Sequence, residues 1–169
     1  DADVYKFLRY FTFLPLDEIQ AIEAVDVAAA GRPQAQAVLA SEATSLVHGE
    51  EGLKAALRIT EALFSGSSVD LSESDLKQLS QDGMPFSQLS NSDLVDKPLT
   101  NLLTDAGMVK AGREVKDALA RNSVFINGIA KGSQDNMGTS NSFTAEHALY
   151  ERFFLVRLGK KKYHLFELI

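Results

Sequence analysis

The residues of this chain best suited to chemistry are cations in two short stretches: Lys110, Arg113, Lys116 and Arg121, then Arg157, Lys160, Lys161 and Lys162. Groups of this kind bind anions, phosphates above all, because each brings a positive charge and several hydrogen-bond donors. At 100° per residue with Arg113 at 0°, Lys110, Lys116 and Arg121 fall at about 60°, 300° and 80°. Ala118, Val115 and Leu119 fall at about 140°, 200° and 240°, so a helix here has one basic and one apolar face. A merely solvated face would look the same, and Asp117 at about 40° dilutes the charge. The second stretch favours an anionic partner, because Arg157, Lys160, Lys161 and Lys162 crowd one hairpin turn where like charges repel.

The charge distribution supports that reading. Residues 1–96 hold 6 Lys+Arg against 16 Asp+Glu and residues 97–169 hold 11 against 7, so the parts carry −10 and +4. The whole-chain charge of −6 and pI of about 5.1 conceal a basic module of the kind that marks nucleic-acid binding.

Other chemistry finds little support. His48, His147 and His164 are far apart and lack carboxylate or thiolate partners at ligand spacing, so no metal site is expected. Asp17-Glu18 and Glu50-Glu51 fall in first turns of helices, where the dipole accounts for them. No serine lies in a nucleophile-elbow pattern. Phe7, Phe11 and Phe13 resemble a base-stacking platform, but at helical spacing they read as core. There is no cysteine, which excludes disulfides and fits a cytoplasmic setting. No apolar stretch reaches the roughly 20 residues that span a bilayer, and no signal-peptide pattern opens the chain, so no membrane partner is expected. The chain starts without Met inside an amphipathic run and reads as a piece of a longer protein.

The elements that position the cations belong to an α+β fold: an all-helical bundle followed by a small α+β domain with two helices packed on a small, mostly antiparallel sheet. With 169 residues, 45% of them apolar, the chain suffices for two small domains. Residues 1–83 read as helical. Val4, Phe7, Leu8 and Phe11 form one face of a helix ended by Pro15, and a second helix runs from Leu16 to before Gly31. A third runs from Pro33 to Gly49 and a fourth from Glu50 to Phe64, ended by Ser65-Gly66. Ser72 and Asp75 form a capping box for a fifth, closed by Asp82-Gly83. Residues 84–96, rich in Ser, Asn and Asp, read as a linker. Residues 97–169 then change grammar. Leu99, Leu102 and Leu103 mark a helix ending at Ala106-Gly107, and another covers about Ala111 to Arg121. Val124–Ile126 is a strand leading into the tight turn Asn127-Gly128. Gly132 to Ser142 reads as a mobile loop. Phe153–Arg157 and Tyr163–Phe166 read as strands joined through Leu158-Gly159-Lys160-Lys161.

Three blocks carry a family resemblance: residues 1–14 (DADVYKFLRYFTFL), residues 46–53 (LVHGEEGL) and residues 59–66 (ITEALFSG). They resemble the part of bacterial tyrosyl-tRNA synthetases that follows the catalytic domain. Gly159-Lys160-Lys161-Lys162-Tyr163 is similar to that family's C-terminal signature, and Val124 to Gly128 to its strand and Asn-Gly turn. The resemblance implies a helical module beside the anticodon and a C-terminal module, S-four-like after a small-subunit ribosomal protein, that grips tRNA between anticodon stem and long variable arm. The implied partner is the tRNA for tyrosine. By matching positions, Arg113, Lys116, Arg157, Lys160 and Lys161 would contact RNA phosphates, with Lys110 and Lys162 joining on geometric grounds. Asp3 is a candidate for reading an anticodon base edge, its alternative being a helix N-cap. No catalytic residue is implied here, since neither ATP-binding signature of the family is present. ATP and tyrosine would bind the absent catalytic domain, through which the intact protein would pair, leaving this segment monomeric and without a cofactor. Two departures stand out: Arg157 is followed by Leu158 where the family often has a second Arg, and Lys116 stands where Arg is common, which removes bidentate geometry. A stand-alone RNA-binding or ribosome-associated factor with the same C-terminal fold, or an acidic helical interaction module with an incidental basic tail, are the other readings.

Overall fold

The computed structural model describes residues 3–29, 31, 33–65, 71–81, 84–95 and 97–169. The expected helix ends at Gly66 and Asp82-Gly83, and Asp96 at the end of the expected linker, lie outside the described residues. The chain forms two compact units, residues 1–57 and 58–169.

In the first unit, α1 (Val4–Phe11) stops at Thr12, whose extended backbone leads to Pro15 at the cap of α2 (Leu16–Ala28). Pro cannot continue a helix but suits the start of one. A small core of Val4, Leu8, Ile19 and Ala35 joins these helices to the beginning of α3 (Ala35–Ser65). Asp26 fixes the junction from within: its carboxylate accepts the amide N–H groups of Gln34 (2.6 Å) and Ala35 (3.0 Å) and the Tyr5 hydroxyl (3.1 Å). The Gln34 amide is the main reason that this carboxyl sits below its ordinary range. The expected stop at Gly49 is present as a break within α3, where φ is 72° and ψ 178°, a region open essentially to glycine alone. Phe7, Phe11 and Phe13 depart from expectation. They are 42%, 57% and 87% exposed, because the Val4–Leu8 stripe alone meets the core.

The second unit is a five-stranded sheet with helices on both faces. Its strands are β1 (Phe86–Leu89), β2 (Val124–Ile126), β3 (Ile129–Lys131), β4 (Phe153–Leu158) and β5 (Lys162–Leu168), in spatial order β1-β5-β4-β2-β3. Only the β1–β5 pair is parallel. Because side chains alternate along a strand, β4 sends Phe154, Val156 and Leu158 to one face. There they pack with α6 (Leu99–Asp105) and α7 (Gly112–Ala120) through Leu102, Leu103, Val115 and Leu119. Phe153 and Leu155 face the other way, onto Ile59 and Ala62 of α3 and Leu76 of α4 (Glu73–Gln81). The Ser72–Asp75 capping box forms as the sequence implies, and the same Asp75 carboxylate takes a bidentate clamp from Arg58, at 2.9 and 2.6 Å.

Two expectations are corrected here. Residues 84–96 are not merely a linker. They supply β1 and the short α5 (Asn91–Leu94), burying Leu89 and Leu94 in the core. The polar composition that suggests a linker is capping chemistry, with the Ser90 amide donating to the Asp93 carboxylate at 2.8 Å. The stretch 132–142, expected as a mobile loop, is built into the unit as a 3-10 turn (Ser133–Met137) and α8 (Thr139–Ser142). Its Asn136 side chain accepts the Thr100 amide N–H at the start of α6 (3.0 Å), and the adjacent Phe143 is fully buried against Phe154 and Phe166.

The buried His164 makes this unit acid-sensitive. Its Nε2 lies 2.9 Å from the Ser87 hydroxyl, Nδ1 is buried without a partner, and burial pushes the ring pKa down to about 4. A folded-state pKa below the unfolded value of about 6.5 means the unfolded chain takes up the proton first. The stability at stake is therefore complete above pH 6.5 and is lost as pH falls towards 4, amounting to about 3 kcal/mol. Urea unfolding between pH 7.5 and 4.5 is expected to show this decline and to show it flattened in His164→Leu. An equal decline in both proteins would assign the acid sensitivity elsewhere.

Candidate nucleic-acid interface

The cation-bearing turn is placed by strand pairing. Leu158 lies opposite Lys162, so the hairpin closes over Gly159, Lys160 and Lys161, with Gly159 at φ 63°. That conformation is strained for any residue with a Cβ. The Gly159 amide donates to the carbonyl of Ser123 (2.7 Å), which ties the turn to the segment just after α7. Ala118 and Leu119 on the inner side of α7, with Val124 and Leu158 of the sheet, share one core. The helix and the turn therefore stand beside each other on one side of the unit.

Between them lies a cleft of about 490 Å³, lined by Glu114, Ala118 and Arg121 from the helix side and Lys160, Lys161 and Lys162 from the hairpin. Lys162 is not free within it: its Nζ lies 2.5 Å from Glu114 Oε1. Lys160, Lys161 and Arg121 have no carboxylate partner among the described residues. The cleft thus keeps an uncompensated positive charge over an apolar floor, where an anion is screened less than in open solvent. The row Lys131–Val124–Leu158–Lys162 runs across the strands at this end of the sheet and adds a cation beyond the hairpin.

The other expected residues are distributed unevenly. Lys110 is exposed in the bend just before α7, outside the helix on which it was expected, and the exposed Arg113 in the first turn is 3.9 Å from Asp117, a weak pair. Lys116 is exposed but projects roughly 160° around the helix from Glu114, away from the cleft. Arg157 falls on the opposite face of the sheet from α7, since it pairs with Phe125 and Tyr163 rather than sharing the parity of Leu158. Its guanidinium lies 4.1 Å from the centre of the Phe125 ring, a cation–π contact that holds the planar group in place. Asp3 occupies the N-cap position of α1 without a side-chain capping bond, its carbonyl accepting the Phe7 amide (3.0 Å). It belongs to the first unit. Arg121, set on the basic face by the helical projection, is the cleft residue that the family signatures do not point to.

The histidines do not meet: His48 lies on α3, His147 bonds Thr144 (2.6 Å) and His164 is buried. Among the described residues no group of His, Cys, Asp or Glu is arranged to hold a metal ion, and no helix is long and apolar enough to cross a membrane.

A helix and a lysine-bearing hairpin thus flank one cleft on a small α+β unit, with Arg121, Lys160 and Lys161 at its edge. The profile of the tyrosine--tRNA ligase SYY-like C-terminal domain matches residues 75–166, and the chain belongs to that family. It is 48% identical over 167 residues to the tyrosine--tRNA ligase of Dechloromonas aromatica and 45% identical over 165 residues to tyrosine--tRNA ligase 1 of Vibrio parahaemolyticus. Tyrosine--tRNA ligase 1 of Photorhabdus laumondii is 44% identical over 161 residues. These alignments cover 98%, 98% and 95% of this chain but 37%, 36% and 36% of the relatives, so the chain spans little more than a third of their length.

If the cleft is the anion site, removing its own carboxylate strengthens it. On a heparin column, Glu114→Gln is expected to elute at higher salt than the unaltered chain, Lys160→Ala at lower salt and Lys116→Ala with little change. Elution of Glu114→Gln at unchanged salt would place the anion elsewhere.

Proposed function

We propose that this chain is the tRNA-binding region of a tyrosine--tRNA ligase and that its second unit holds the ribose-phosphate backbone of the tRNA for tyrosine in the α7–hairpin cleft. The observation that carries the proposal is the convergence of Arg121, Lys160 and Lys161, from separate stretches of sequence, on one cleft beside α7. Arg113 in the first turn of that helix and Lys110 in the bend before it extend the positive track at one end, and Lys131 extends it along the sheet. Lys162 orients Glu114 and through it the helix, while Arg157 serves the far side of the same end of the sheet.

In this reading the first unit addresses the anticodon region, with Asp3 as the candidate for a base contact. Activation of tyrosine by ATP belongs to the portion of the relatives' length that this chain does not cover. That portion would also make the homodimer contact, and the complete protein would act in the cytoplasm. The region's work is positional: it holds the tRNA so that the acceptor end reaches an active site on another domain.

The test is filter binding of the chain to the tyrosine tRNA, with its long variable arm, and to a tRNA with a short one. Neutralisation of about five phosphates gives a slope of log affinity against log salt of roughly −4. The tyrosine tRNA is expected to bind more tightly, and Lys160→Glu with Lys161→Glu to flatten the slope. Equal affinity for both tRNAs would leave general RNA binding and remove the specificity. A slope unchanged by the charge reversals would remove the cleft as the site.

A further inference from the structure

We propose that a second cleft, on the other side of the lysine turn, is a slot for one unstacked nucleobase of the RNA whose phosphates lie on Lys160 and Lys161. The inference rests on the tRNA reading above and adds a site to it. The slot measures about 450 Å³, within the range of ligand pockets, and is lined by Met84, Pro85, Gly107 and Met108 together with Lys161 and Lys162. Because these two lysines line both clefts, the turn is the ridge between them.

The lining suits a flat, polarisable guest. Met108 packs at the edge of the core beneath α6 and α7, and Met84 at the edge of the core formed by α3 and α4. Two thioethers anchored in different cores thus meet at a gap that neither fills. Thioethers adapt their shape and make favourable sulfur–ring contacts, and Pro85 adds a rigid apolar surface. Gly107, at φ 74° in the turn that ends α6, leaves the opening clear, and a Cβ there would meet nothing within 4 Å.

Charge decides between a nucleobase and an apolar protein side chain. No carboxylate lines this slot, whereas the first cleft contains Glu114. Lys161, which unlike Lys162 has no carboxylate partner among the described residues, makes the slot attractive to a guest that carries a phosphate, and a strand bound by Lys160 and Lys161 delivers its next nucleotide across the ridge. Bases paired in a duplex cannot enter, so the slot selects a bulged, looped or terminal nucleotide. Stacking of this kind tolerates any base.

The experiment uses the whole chain and an RNA hairpin with a five-nucleotide single-stranded tail, compared with the same hairpin whose tail is abasic ribose-phosphate. The unaltered chain is expected to bind the base-bearing tail about tenfold more tightly. Met84→Ala with Met108→Ala is expected to bind both tails equally, at the abasic affinity and with an unchanged salt slope. Met84→Leu with Met108→Leu, which keeps the volume, controls for folding and is expected to retain most of the preference. A tail carrying 2-aminopurine gives a second readout, its fluorescence changing on binding to the unaltered chain and not to the alanine variant. Equal affinity of the unaltered chain for both tails would overturn the slot while leaving the phosphate cleft standing. A preference that survives in the alanine variant would also overturn it. Failure to bind either RNA would overturn the tRNA reading itself.

Discussion

The pairing of β4 with β5 is the constraint on which the second unit depends. Six residues of β4 lie opposite six of β5, from Phe153 against Glu167 to Leu158 against Lys162. Strand periodicity then assigns every side chain of the hairpin to a face. Phe154, Val156, Leu158 and Phe166 build the core under α6 and α7, and Lys162 emerges on that side to meet Glu114. Phe153, Leu155 and Leu165 build the core toward α3 and α4, and Arg157 emerges on that side to meet Phe125. A slip of one residue would exchange the two sets, burying cations and exposing phenylalanines. The same register that secures the core therefore decides which cations share a cleft.

Much of this was legible in the sequence where the signal is local. The stops at Pro15 and Gly107, the Ser72–Asp75 box and the Asn127-Gly128 turn are written in residues within a few positions of each other, and the structure uses them as expected. The turn residue Asn127 also works at longer range, its side chain accepting the Leu155 amide (2.8 Å) and donating to the His147 carbonyl (2.8 Å). What the sequence does not display are partnerships with distant residues. Phe86 pairs with Leu165, so the four residues of β1 carry no sign of the strand that completes them. Residues 132–142 have a loop's composition because their polar side chains cap neighbouring elements. In the candidate site, helical geometry foretold the inward Val115, Ala118 and Leu119, whereas of the cations it grouped on one face only Arg121, just past the end of α7, lines the cleft. Arg157 and Lys162 are separated by strand parity, a property of the paired strands that does not show in the mere crowding of four cations along the sequence.

The first unit shows the opposite balance, with a small core and a large exposed apolar surface. Its order depends on polar anchoring: one buried carboxylate, Asp26, satisfies two amide donors at the start of α3 and the hydroxyl of Tyr5 on α1. Backbone donors at a helix start are costly to bury unpaired, so a single acidic side chain in the right place can hold three segments together. This explains why a segment of strongly negative charge retains a carboxylate in its interior.

The central position of β5 has a consequence for biosynthesis. This strand is the last in chain order, yet it lies between β1 and β4 and is the neighbour that connects β1 to the rest of the sheet. During translation the earlier strands leave the ribosome before the strand that joins them exists, so Phe86 and Leu155 have no Leu165 to pack on until that residue has been made. Nascent chains of this region therefore present unpaired strand edges until β5 is made, and a product that stops just after Lys162 keeps its lysine turn but lacks the strand that joins β1 to β4.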